Sequence, residues 1–294
     1  MQSTNINLQN KKYHQIKREI GICNLSNVGK ITIYGPGAIS LINHYSIRDI
    51  SKINDSAFFT ILMKRKEFID EVLVIKLSHL KFILITNENK KIINLLKKVK
   101  RKFPMTTIDD CTKSYCLFSF HGNKEKEYFS NISSSFLYKV THQNYDYHII
   151  FASSHSKYSI HDYFINLGFF EINLEMRKIF LYNNNVITNL KEIKKKYRLN
   201  TYITIYDCDN YKFKVKIKIL EVKQFESTIN NLIIDGSNIY NSQGKCIGYV
   251  HNHFRLPNKK NPYVLGIVRK FLCDKIALVK HNKVETIIKE YNVY

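Results

Sequence analysis

Residues 29–34, GKITIY, alternate apolar and polar through Ile31 and Ile33, break at Gly35-Pro36-Gly37, and resume with helical spacing from Ala38. This pattern predicts a strand, a turn and a helix with Ile39, Ile42 and Tyr45 on one face. Residues 58–77, FFTILMKRKEFIDEVLVIKL, read as two apolar strands connected through Lys64 to Lys66, and KFILITNEN as a further buried strand ending in turn residues. From Lys90 to Lys102, Ile92, Ile93, Leu95, Leu96 and Val99 form a helical stripe with lysines opposite. A second round follows: strand SYCLFSFHG, a helix near NKEKEYFSNI, strands FLYKVTH and DYHIIFA, and helix SIHDYFINLGF.

The recurrence predicts an α+β protein whose first domain covers residues 1–200 in two halves, about 1–105 and 106–200. NLKEIKKKYRLN, residues 189–200, reads as a charged linker. Beyond it YKFKVKIKIL sets Phe213, Val215, Ile217 and Ile219 against Lys212, Lys214, Lys216 and Lys218, and NLIIDG, SNIYNSQGKCIGYVHN and YVLGIVRKFL continue as short strands. Residues 201–294 are therefore expected to form a small β domain, a barrel or a sandwich.

The hydrophobic share of 44% with 13% aromatics excludes global disorder. The formal net charge is +22 over 294 residues, which attracts polyanions: nucleic acid, an acidic protein, an anionic membrane face or a polyglutamylated small molecule. Saturation with Lys, Asn, Ile and Tyr offers codon bias as the other source of that charge. Cysteines 23, 111, 116, 208, 246 and 273 form no C-x-x-C pair and no zinc spacing, so inert thiols in a reducing compartment and no metal are expected. No apolar run reaches a membrane-spanning length, so a soluble protein with no membrane partner is expected. The first twenty residues hold four Lys and Arg and no acid before Glu19. They read either as an organelle transit segment or as a basic first helix with Ile16 and Ile20 on one side. Neither G-x-G-x-x-G nor the phosphate-binding G-x-x-x-x-G-K-[ST] is present.

Against this background Asp70 and Glu71 stand out, two acids directly before the apolar run Val72 to Ile75. NLSNVGKITIYGPGA resembles a D-V-S-H-M-G-K strand followed by a G-P-D-A helix start. KEFIDEVLVIKL resembles G-G-I-x-D-D-L-I-V, FILITNENKKI resembles L-V-V-N-A-x-N, and SFHGNKEK stands where L-Q-G-P is found. INLEMRKIFLYNNNVI is similar to L-R-L-E-A-G-x-x-L-Y-G-x-D-I, and GKCIGYVHNHFRLPNKKNPYVLGIV to the carboxy-terminal G-x-x-I-G-x-V-T-S-G segment. These are motifs of the aminomethyltransferase family, the T-proteins of the glycine cleavage system, and they recur in order from about residue 14 to about 270.

The resemblance implies a folate-binding fold of two α/β halves around a central cavity, plus a carboxy-terminal β-barrel. It implies transfer of an aminomethyl group from a lipoylated H-protein to tetrahydrofolate with release of ammonia, in the mitochondrial matrix. By position, Glu71 preceded by Asp70 is the implied catalytic carboxylate, and Val28 packs on the pterin. Asn87 bonds the pterin or its linker, and Glu175 accepts from the aminopyrimidine edge. Several departures accompany it. Asn144 and Tyr145 are what remains of a G-Y-T-G-E turn shortened by about three residues. Glu71 stands in place of Asp, and Phe169 and Asn173 replace arginines for which Arg177 is the candidate substitute. Two other readings stay open: a folate-binding relative in iron–sulfur cluster assembly, whose K-G-C-Y-x-G-Q-E motif is absent, and a structural or RNA-associated protein using the +22 charge.

Overall fold

A computed structural model of the chain describes residues 15, 18–64, 67–130, 134–142, 145–184, 186, 203–204, 215–222, 237–241, 243–254, 263–269, 276–281 and 284–290. The amino-terminal reading over 1–14, Asn144, the linker over 189–200, the strand over 231–236 and the facing of residues 212–219 lie outside the described residues and side chains. The chain divides into two compact units, Met1–Arg177 and Lys178–Tyr294.

The first unit is built on one ten-stranded mixed sheet. Its first half contains β1 (Gly21–Asn24), β2 (Gly29–Tyr34), α1 (Ala38–Asn43), β3 (Ala57–Lys64), β4 (Glu67–Ser78), β5 (Lys81–Thr86), α2 (Asn89–Val99) and β6 (Thr107–Asp110). The second contains β7 (Tyr115–His121), α3 (Glu125–Ser130), β8 (Leu137–His142), β9 (Tyr145–Ser153), α4 (Lys157–Asn166) and β10 (Phe170–Glu171). The strand order is β10-β1-β7-β9-β8-β3-β4-β5-β2-β6, so β1 crosses over to pair with the second half. A parallel pairing of β3 with β8, Ala57 to Val140 and Phe58 to Thr141, is the seam between the halves.

β3 and the Val72–Ile75 run of β4 are buried on both faces, which is why their apolar runs lack strict alternation. On β4, Val72 and Val74 pack into a core with Leu41 and Ile42 of α1 and Ile92 and Leu96 of α2. Leu73 and Ile75 turn to the opposite side, into an inner core shared with Leu117, Val140, Tyr147, Ile149 and Phe151 of the second half. Phe118 and Phe120 face outward from β7 onto Phe129 of α3 and Phe164 of α4. The unit is thus two helix-covered half sheets with an apolar inner layer drawn from both. Burying Ile92 and Leu96, both fully buried, contributes about 1.5–3 kcal/mol each, while Lys97 and Lys98 in the last turn of α2 suit the negative end of its dipole.

The predicted hairpin and the helix over 90–102 are present, the latter ending as a tight turn over Lys100–Lys102. In α1 the buried side is Ala38, Leu41 and Ile42, and Ile39 is only partly buried. The pattern gave no notice of β1, β6 and β10, because strands of two to four residues carry too few positions to show a period. The turn before α1 needs its glycine: Gly35 has φ +119°, and a Cβ there would lie 1.9 Å from the Met105 carbonyl oxygen.

In the second unit β11 (Ile203–Thr204), β12 (Val215–Val222), β13 (Asn238–Asn241), β14 (Cys246–Phe254), β15 (Tyr263–Arg269), β16 (Ile276–His281) and β17 (Val284–Glu290) form a seven-stranded sheet. Its order is β11-β12-β15-β14-β13-β16-β17, and β12 pairs with β17 as well as β15. The β13–β14 turn is closed by Asn241 Oδ1, which accepts from Gln243 N and Lys245 N.

Candidate functional site

Asp70 and Glu71 lie inside β4, three and four residues after its start at Glu67, and separate to opposite faces. Asp70 accepts a hydrogen bond from Thr86 Oγ1 at 2.5 Å, and Thr86 Oγ1 itself accepts from the Glu88 backbone N–H at 2.9 Å. Asp70 is 4% exposed, on the helix-covered side with Val72 and Val74 by the period of the strand. There it ties the end of β5 to the start of α2, and burial raises its carboxyl above the usual range against the opposing Thr86 bond.

Glu71 points with Leu73 to the inner side. Its register partner is Ile61 on β3, and its Oε1 lies 3.2 Å from Nε2 of His142, the last residue of β8. Their side chains are 11% and 3% exposed. The His142 ring stacks on Phe59, with centroids 3.8 Å apart and planes 15° from parallel. Glu71 therefore reaches across β3 and over the seam to a histidine of the other half.

Next to this pair, on β7 and β9, lies a polar group built on Arg177. Arg177 Nε donates toward Ser119 Oγ and His121 Nε2, each at 3.2 Å, and Nη2 toward Tyr147 Oη at 3.4 Å. The guanidinium lies over the Tyr147 ring, 5.8 Å from its centroid. Burial, then the nearby Arg177 charge, hold the His121 imidazole well below its usual pKa, so it is neutral and can accept from Arg177. Tyr145 stacks along Tyr147 at 5.8 Å, and burial raises both phenols. Tyr147 feels the charges of both Arg177 and Glu71, so the two groups share one electrostatic environment.

Val28 sits in the turn before β2, partly buried against the inner core. That turn is organised by Lys30, whose fully buried ammonium donates to the carbonyls of Ser26 at 2.7 Å, Val28 at 3.0 Å and Thr112 at 3.4 Å. Asn87 is exposed just past β5, and Glu175 is exposed in the first turn of α5 (Leu174–Asn183). The amino end of α5 is fixed by Asn173, whose Oδ1 accepts from the Met176 N–H at 2.8 Å. The structure thus gathers Glu71, Tyr145 and Arg177 on the inner side, and leaves Asp70 on the other face and Asn87 and Glu175 at the surface.

Sequence reasoning missed His142, His121, Ser119, Tyr147 and Lys30. His142 ends the strand just before the shortened turn, and that position beside a departure was its one available signal. The Cys23 thiol, beside Ser119 on β1, is pushed up to about 11 by burial and stays protonated. Among the described residues no three His, Cys, Asp or Glu side chains gather as a metal site, and no helix is long and apolar enough to cross a membrane.

Comparison with known proteins adds the lineage. The sequence profile described as the GCVT N-terminal domain matches residues 3–149. A protein named aminomethyltransferase from Koribacter versatilis (strain Ellin345) is 24% identical over 134 residues, 44% of this chain and 35% of that protein. The match therefore spans about a third of that relative's length. The crystal structure of glycine cleavage system aminomethyltransferase T from Bartonella henselae shares the fold, with a TM-score of 0.72, 11% identity, and coverage of 97% of this chain and 88% of that one.

Proposed function

Because this chain belongs to the GCVT N-terminal domain family, we propose that it is a tetrahydrofolate-dependent aminomethyltransferase, taking the aminomethyl group from the lipoyl arm of an H-protein and releasing ammonia. The observation that carries this is Glu71: a carboxylate on the inner side of an interior strand of the sheet, 11% exposed and held at 3.2 Å by His142, at the position where the family resemblance puts the folate-facing acid.

In the reaction the transferred carbon breaks its bonds to sulfur and to the amine nitrogen and forms bonds to two nitrogens of tetrahydrofolate. The two protons these nitrogens give up leave on ammonia and on the lipoyl thiol. Cationic character develops on the methylene as ammonia departs, and a fixed carboxylate in a water-poor site stabilises it. Glu71 takes that role. Tyr145 and Val28 offer apolar surface for the ring system, and Arg177 a cation for the acidic side of the substrate. Asp70 acts on the other face as a support for β4 and β5.

The pairing of β12 with both β15 and β17 supports reading the second unit as the carboxy-terminal β-barrel of this fold. The +22 charge suits an acidic carrier protein, whose association it accelerates; the mitochondrial matrix is the compartment this reading carries.

Titration calorimetry with tetrahydrofolate on the wild type and Glu71→Ala, followed by ammonia release from aminomethyl-loaded H-protein, tests the proposal. Binding with folate-dependent ammonia release, lost in Glu71→Ala, is the expected result. Binding without release in the wild type points to the catalytically degenerate folate-binding reading, and no binding at all sinks the functional assignment.

A further inference from the structure

A glutamate at position 71 is one methylene longer than the family's aspartate, and a carboxylate displaced by about one bond length is poorly aimed for catalysis that depends on position. We infer that His142 is the positioning residue that makes this longer acid usable: it fixes the Glu71 carboxylate from the far side of the seam. The inference rests on the aminomethyltransferase reading for what Glu71 does, and on the structure alone for how Glu71 is held.

The seam pairs Ala57 with Val140 and Phe58 with Thr141, so the next step of register brings Phe59 beside His142. That step produces the 3.8 Å ring stack, which immobilises the imidazole against a flat apolar surface. An ionised carboxylate only accepts, so His142 Nε2–H donates to Glu71 Oε1 across 3.2 Å. With the ring at 3% exposure, water competes little for that bond. In the neutral ring Nδ1 is then an acceptor, and it has no hydrogen-bond partner among the described residues.

The sequence change and the structural device occur at one place. His142 is the last residue of β8, and the turn that follows is the one shortened by about three residues relative to the family pattern. The pairing of β3 with β8 holds the residue ending that strand over β3, where an acid from β4 can reach it.

Two variants separate the bond from the packing. His142→Phe keeps a ring on Phe59 and removes the donor, whereas His142→Gln places an amide N–H near the position of Nε2. The expected result is a fall in kcat of about 30-fold or more in His142→Phe, with tetrahydrofolate Kd changed less than about threefold, and recovery to within about fivefold of wild type in His142→Gln. A purely structural role would lower both variants alike through stability, and would not give this split between kcat and Kd. If His142→Phe turns over within twofold of wild type, or His142→Gln is as impaired as His142→Phe, the inference is overturned.

Should the wild type neither bind folate nor release ammonia, the functional reading fails and the pair is still decided by its own measurement. A double-mutant cycle of Glu71→Gln and His142→Phe, read by thermal unfolding, is expected to be non-additive by about 2 °C or more. Additive Tm shifts refute the contact itself.

Discussion

Replacing Lys30 by methionine removes an ammonium with no exposed surface and leaves three backbone carbonyls, those of Ser26, Val28 and Thr112, without their donor. Methionine nearly fills the same volume, so the effect isolates the polar head. Each orphaned buried carbonyl costs about 1–3 kcal/mol. Part of that is offset because a charge no longer has to be buried. Counting the two short bonds fully and the 3.4 Å bond weakly leaves a net loss of about 3 kcal/mol, or about 6–12 °C in Tm for a domain of this size. The pH dependence gives an independent check. Burial lowers the Lys30 pKa from its usual 10.5, so between the lowered value and 10.5 the unfolded chain binds more protons than the folded one, and wild-type stability rises with pH through that window. The gap between wild type and Lys30→Met therefore widens from neutral pH toward 10.5. Thermal unfolding of both proteins from pH 7 to 10.5 measures it. A gap of less than 1 °C refutes the reasoning that this ammonium holds the turn carrying Val28, and a gap that narrows as pH rises refutes the lowered pKa.

Asp70→Asn is expected to alter the acid limb: burial raises the Asp70 carboxyl above its usual 3.8, so the wild type loses stability relative to the variant as pH rises through the window above 3.8, and urea midpoints from pH 3 to 7 that run parallel exclude this. Gly35→Ala forces a side chain onto a backbone at φ +119° facing the Met105 carbonyl and is expected to cost more than about 1 kcal/mol, with an unchanged Tm counting against it. Phe120, fully buried with ring centroids 4.7 Å from Phe164 and 4.8 Å from Phe129, is expected to lose about 3–5 kcal/mol as Phe120→Ala. A loss below 1 kcal/mol by chemical denaturation means that the outer aromatic core of the second half is not close-packed.

How much of this was legible beforehand depended on the range of the interaction. The strands at 57–64, 67–78 and 81–86 were readable as short apolar runs bounded by charged or turn residues, and the stripe of α2 because a period of 3.6 is completed within one segment. The importance of Glu71 was visible as an acid in an apolar run. That Asp70 and Glu71 face opposite ways follows from strand geometry alone. Which of them faces the helices did not, because both faces of β4 are apolar and the sequence marks neither as outer.

The sequence by itself determined the local elements, the recurrence of strand and helix units, and the ordered motifs that tie the chain to its family. Only the tertiary structure decided the chemistry around Glu71. His142 is 71 positions away in the chain, and Arg177 reaches Ser119 and His121 from 58 and 56 positions away. Contacts of that separation leave no periodic trace: they exist because β3 pairs with β8 and the two half sheets bury their inner faces together, and burial then sets which groups are charged and which are held.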